Sequence, residues 1–136
     1  MPKRKLKIDM IALELSFDSG FEEVTGFLDL ETGQVISVEQ FSPEAENYEL
    51  SEQYLPVPRQ DSHDGYEDMV QFNETVSDPR LHELLTVAIQ GKGAFRRFKD
   101  MIARNPEVEQ RWYLHKDQRL HERIAEWLDS VDIEAI

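Results

Sequence analysis

Three times in this chain a capping residue stands directly before a proline: Ser42-Pro43, Asp78-Pro79 and Asn105-Pro106. Proline suits the first helical position, where its N–H would be unbonded in any case and its φ is already helical. Serine, aspartate and asparagine carry side chains that bond the free N–H groups just inside. The three pairs predict helix starts near 43, 79 and 106.

The stretch between residues 23 and 38 reads differently. Val24, Leu28 and Leu30 alternate with Thr25 and Asp29, which is strand periodicity. Glu31-Thr32-Gly33 then makes a three-residue hairpin loop with Gly33 free to take positive φ, and Gln34 to Val38 returns. Two strands alone are marginal in water. Tyr54-Leu-Pro-Val-Pro58 can supply a short edge strand, since proline is tolerated at an edge. Before the hairpin, Asp9 can cap a short helix with Ile8, Ile11, Ala12 and Leu15 on its buried face.

Beyond Arg59 the pattern is helical. Asp61 or Ser62 caps a helix with Tyr66, Met69, Val70 and Asn73 inward, extending to Val76. The helix from Pro79 carries a stripe of Leu81, Leu84, Leu85, Ala88 and Ile89, and Gly91 and Gly93 stop it. Ala94 to Arg104 resumes with Phe95, Phe98, Met101 and Ile102 inward. Val108, Trp112 and His115 share a face after Pro106, and Leu120, Ile124, Trp127 and Val131 mark a last helix after a break near Lys116-Asp117. The fold class is α+β: a small antiparallel sheet built on a β-hairpin, packed on a mainly helical C-terminal half. With 136 residues the expectation is one domain, 1–58 holding helix and hairpin and 59–136 the helical part. Both tryptophans and the Phe95/Phe98 pair are expected in one core.

Charge narrows the function. The chain has a formal net charge of −13. Between Lys7 and Arg59 lie twelve carboxylates and no lysine or arginine, whereas Gly91 to Arg104 carries five cations against Asp100 alone. The N-terminal cations Lys3, Arg4, Lys5 and Lys7 read as a solvated tail, with nucleic acid or lipid headgroups as the alternative. No signal-peptide core follows them and no apolar run spans a membrane. There is no cysteine, which removes disulfides and thiolate zinc sites and fits a cytoplasmic protein.

The island GKGAFRRFKD has two readings. On a helix, Phe95, Phe98 and Ile102 cluster on one side, Arg96, Asp100 and Arg104 fall opposite, and Arg97 sits on a flank. The first reading is a solvated face tied to acidic neighbours, each pair contributing ~0.2–0.5 kcal/mol. In the second, guanidinium forks serve a carboxylate or phosphate partner. The candidate partner-binding residues are Arg59, Lys92, Arg96, Arg97 and Lys99. Of the two orientations, Arg97 is expected inward, toward the carboxylates of the N-terminal half, and Arg96 outward.

Catalytic signals are weak. There is no Walker spacing after Gly91, no nucleophile elbow and no His-Glu-x-x-His. His63, Asp64, Glu67 and Asp68 form a metal-like cluster, but acids in a first helical turn more often answer the helix dipole. No metal or cofactor is expected, and the residues name no catalytic group.

Pro56-Val-Pro-Arg59, Tyr66-x-x-Met69, Ala88-Ile-Gln-Gly-Lys-Gly-Ala-Phe-Arg-Arg-Phe-Lys-Asp100, Trp112-Tyr113 and Trp127-Leu128 together resemble the bacterial uncharacterised protein family 0158. The resemblance covers the C-terminal two-thirds, and the block ending at Asp100 is its specific part. It marks Arg59, Gly91, Gly93 and Phe95 to Asp100 as family features, and implies no chemistry, because the family has no assigned function. Three readings of function follow: a non-catalytic interaction or regulatory module docking an anionic partner through Gly91–Arg104, an RNA- or DNA-associated protein using the same patch, and an enzyme with an unrecognised site.

Overall fold

All three cap-proline pairs begin helices in the computed structural model, which describes residues 3–18 and 23–136. The order is β1 (Arg4–Leu6), α1 (Met10–Phe17), β2 (Val24–Asp29), β3 (Val35–Glu39), α2 (Pro43–Glu49), β4 (Tyr54–Val57), α3 (Ser62–Glu74), α4 (Pro79–Ala88), α5 (Ala94–Ala103), α6 (Pro106–Ser130) and β5 (Ile133–Ala135). The fold is α+β. The chain divides into two compact units, residues 1–60 with 120–136, and residues 61–119.

In the first unit the hairpin forms as its loop residues dictate. β2 pairs antiparallel with β3 and, on its other side, with β4, so β2 is central. Gly33 takes φ +79° in the loop. Asp29 organises the turn: its Oδ1 accepts from the N–H of Glu31 at 2.9 Å, the N–H of Thr32 at 3.3 Å and the Gln53 amide at 3.2 Å. Burial works to raise the Asp29 pKa, but the bonds from Glu31, Gln53 and Thr32 outweigh it and hold the carboxyl below its usual value. The stability it contributes is therefore present above the ordinary carboxylate range and is lost as pH falls through the lowered pKa.

A central strand covered on both faces cannot show a clean alternation. Adjacent Phe27 and Leu28 are both fully buried, on opposite faces. Phe27 packs with Val38 and Ala45 under α2, while Leu28 joins Leu13, Phe17, Val57, Leu120, Ile124 and Leu128.

Several expectations are corrected. The basic N-terminal segment is not a free tail: Arg4–Leu6 pairs in parallel with Ile133–Ala135, and Lys3 forms an ion pair with Asp129 (Met1 and Pro2 lie outside the described residues). The apolar Leu6 and Ile133, each buried, draw these strands into the core. Helix α1 buries Leu13 and Phe17 and exposes Ile11 and Leu15. Both pairs have i, i+4 spacing, so periodicity alone cannot choose between them. Asp9 does cap this helix, accepting from the Ala12 N–H at 3.2 Å.

In the second unit α3 buries Met69, Phe72 and Asn73, whereas Tyr66 is exposed. Asp61 and Asp64 close a reciprocal capping box. Asp68 accepts from Arg119 Nε at 3.2 Å. These two acids of the metal-like cluster thus serve a cap and an ion pair. α6 runs unbroken through Lys116-Asp117, both compatible with a helix, where a break was expected. Its apolar residues serve two cores in turn. Trp112 packs with Phe98 and Phe72, while Trp127 meets Phe17, so the tryptophans do not share one core. Phe95 is 42% exposed and lies over Gly65, where a β-carbon would approach its ring to 3.0 Å.

Candidate partner-binding groove on helices α4 and α5

The glycines and arginines of the basic island divide into two jobs. Gly91 and Gly93 both hold left-handed backbone, φ +74° and +79°, which turns the chain from α4 into α5. That turn exposes carbonyls at the end of α4, and Arg97 returns to bind them. Its Nε donates to the Ala88 carbonyl at 2.9 Å, and its two terminal nitrogens donate to the carbonyls of Gln90 and Lys92. A cation at a helix C-terminus also answers the dipole there. A β-carbon at Gly93 would come within 2.9 Å of the same guanidinium, so glycine leaves the space Arg97 uses. The Gly-x-Gly…Arg spacing is thus a folding device of the α4–α5 connection. Arg97 is spent on the carbonyls of its own connection, where a turn toward the carboxylates of residues 8–58 was expected.

Arg97→Gln is accordingly expected to lower stability by about 2 kcal/mol, the scale for losing hydrogen bonds from a charged donor. Arg96→Gln should change it by less than about 0.5 kcal/mol, because Arg96 is exposed and has no ion pair among the described residues. Thermal melting of the two variants checks this; equal losses would remove Arg97 from its capping role.

The other job belongs to the surface beside that turn. α4 and α5 enclose a groove of about 680 Å³. Leu84, Val87, Ala88 and Met101 form its apolar part, and Arg80, Arg97 and Arg104 stand around it with Glu83 and Asp100. Leu84 and Val87 are 42% and 63% exposed, and with Arg80 they follow the i, i+4, i+7 spacing of one helix face. On α5, Arg97, Met101 and Arg104 repeat that spacing. The adjoining face of α5, about a quarter-turn round the helix, is buried through Ala94, Phe98 and Ile102, so the row of Arg97, Met101 and Arg104 runs along the edge of the buried stripe. An apolar floor ringed by guanidinium groups can bind a side chain or short segment that is apolar in the middle and anionic at its edges.

Of the sequence candidates, only Arg97 lines this groove. Lys92, Arg96 and Lys99 are exposed on the same turn and helix but outside it. Arg59 is half-buried in the loop after β4, within the first unit. No ion pair joins Asp100 to Arg96, Arg97 or Arg104 among the described residues. Arg80, Leu84 and Val87 were missed as site residues. Their signal was the width of the apolar arc on α4, where Leu81, Leu84, Leu85, Val87, Ala88 and Ile89 cover more of the circumference than one buried stripe needs.

Elsewhere in this unit a recess of about 240 Å³ is lined by Phe72, Thr75, Arg111, Leu114, His115 and Gln118. His115 stacks on Trp112, and its Nε2 is buried with no hydrogen-bond partner among the described residues. Among the described residues no group of acids and histidines is placed to hold a metal, and no helix is long and apolar enough to cross a membrane.

Comparison with known proteins bears on the whole chain. The model of an uncharacterised protein family, UPF0158, matches residues 3–136. A UPF0158 protein of Pseudomonas aeruginosa is 27% identical over 135 residues, covering 96% of this chain and 87% of the relative. No solved structure matches.

Proposed function

Since the chain belongs to the uncharacterised protein family UPF0158, whose description names no activity, we propose a function from its own surface: it is a non-catalytic docking module of the cytoplasm that binds an anionic protein partner through α5 and the α4–α5 groove. The observation that carries this is the exposed row Arg80, Leu84, Val87 facing Met101 and Arg104. A folding requirement accounts for Arg97 but not for leaving Leu84 and Val87 in water. Interface cores favour apolar side chains with arginine, and charged rims set orientation and association rate.

Lys92, Arg96 and Lys99 extend the positive field beyond the groove and would steer an acidic partner toward it. The absence of cysteine supports the cytoplasmic assignment.

The test is affinity capture with wild type and with Arg80→Glu/Arg104→Glu, each confirmed folded by circular dichroism. Proteins retained by wild type at about 0.15 M salt should be lost from the variant by tenfold or more, and nuclease treatment should leave them bound. Retention of the same proteins by both would overturn the groove. Nuclease-sensitive capture with a steep salt dependence would instead support nucleic-acid binding.

A further inference from the structure

We infer that the α4–α5 groove is filled by the acidic turn of a second copy of this chain, with Phe41 as the inserted side chain. The inference rests on the reading of the groove as a docking surface and supplies its occupant.

Phe41 is 94% exposed, and its backbone holds φ +63°, a conformation that residues other than glycine rarely take. The turn that imposes it is closed: the Ser42 N–H and hydroxyl both donate to the Glu39 carbonyl, at 3.4 and 2.6 Å, and the Gln40 N–H donates to the Glu23 carbonyl at 2.7 Å. A phenyl ring is thus fixed in water by a strained backbone, which packing of its own does not explain. Such strain persists where the surroundings over-determine it and is concentrated at functional positions. Aromatic side chains are also enriched at the cores of protein interfaces.

Its surroundings are opposite in sign to the arginines of the groove. Glu39 before it and Glu44, Glu46 and Glu49 along the helix that follows are all exposed, with no lysine or arginine between Lys7 and Arg59. Arg80 and Arg104, with Glu83 and Asp100 in the same lining, stand beside an apolar floor large enough, at about 680 Å³, to take a phenyl ring and its neighbours, and with Arg97 the guanidinium groups outnumber the two carboxylates. The net charge of −13 makes two copies repel at long range. At 0.15 M salt that repulsion is screened beyond ~8 Å, while pairs in contact are screened far less. Ring and groove are different surfaces of one chain, so the contact is heterologous: copies add head to tail, or two copies exchange the contact reciprocally.

Sedimentation velocity at 0.15 M salt, from about 5 to about 500 μM, reads the association directly. The weight-average mass of wild type should rise with concentration. Phe41→Ser and Arg80→Glu/Arg104→Glu should each raise the dissociation constant about 30-fold or more, the scale of losing an anchor. An equimolar mixture of the two variants should recover association but stop at two chains, because only one intact contact can form. Wild type that stays monomeric throughout, association indifferent to Phe41→Ser, or a mixture that stays monomeric would each overturn the proposal. Monomeric wild type that still loses captured proteins through Arg80→Glu/Arg104→Glu would refute the second copy as occupant while sustaining the groove. Monomeric wild type with capture unchanged would refute both.

Discussion

Gly33→Ala is expected to lower stability by about 4 kcal/mol or more, enough to threaten folding of the first unit. Two effects add. Gly33 sits at φ +79°, where a β-carbon costs roughly 1–2 kcal/mol. The β-carbon would also lie 1.9 Å from the Lys7 carbonyl oxygen and 2.7 Å from its carbon. That obstacle is backbone, and it cannot swing aside as a side chain would. The segment is held in place by the Asp9 N–H, which donates to the Gly33 carbonyl at 2.9 Å, and by Ile8, which is buried next to it. Asparagine separates the two effects, because it tolerates left-handed backbone but brings the same β-carbon. Gly33→Asn should therefore be about as damaging as Gly33→Ala in urea unfolding. Rescue by asparagine to within about 1 kcal/mol would mean that only the dihedral angle matters and that the hairpin loop does not press on the segment before α1.

This close approach was not legible in the sequence, although the hairpin was. Glu31-Thr32-Gly33 announces a turn through local chemistry, whereas the contact with Lys7 joins residues far apart in the chain. The same division runs through the molecule. Caps and stops are local, so Asp9, Ser42, Asp61, Asp78 and the glycines at 91 and 93 could be placed from their neighbours alone. The choice of inward face is not local. Where a helix has apolar residues on more than one side, as α1 and α4 have, tertiary packing decides, and the surplus face is left for something else. The strands β1 and β5 escaped notice because each is three residues long and finds its partner at the other end of the chain. The basic island was legible as a feature but not as a mechanism: nothing in its charges distinguishes Arg97, which binds carbonyls, from Arg96, which binds none among the described residues. The groove escaped because its residues come from two helices and three of them, Leu84, Ala88 and Met101, had been assigned to the core.

Phe98→Ala is expected to cost about 4 kcal/mol, within the range for emptying a buried aromatic site. The Phe98 ring is fully buried, 4.7 Å from the Trp112 ring and 6.2 Å from Phe72, with Met69, Leu85 and Ile102 in the same cluster. Three aromatic rings meeting edge to face cannot close over a missing member without moving a helix, so most of the cavity should persist. Because Trp112 and Trp127 lie in different cores, a Trp127→Phe background makes fluorescence report this one alone. In that background the urea midpoint should fall sharply for Phe98→Ala and hardly move for Arg96→Gln, two residues away on the same helix. The contrast bears on function, since Phe98 is fully buried and does not line the groove. Loss of partner capture by Phe98→Ala should track loss of fold, whereas loss by Arg104→Glu should occur in a fully folded protein. If Phe98→Ala shifted stability by less than about 1 kcal/mol, α5 would not be anchored by this face, and the orientation that turns Arg97, Met101 and Arg104 toward the groove would have no physical basis.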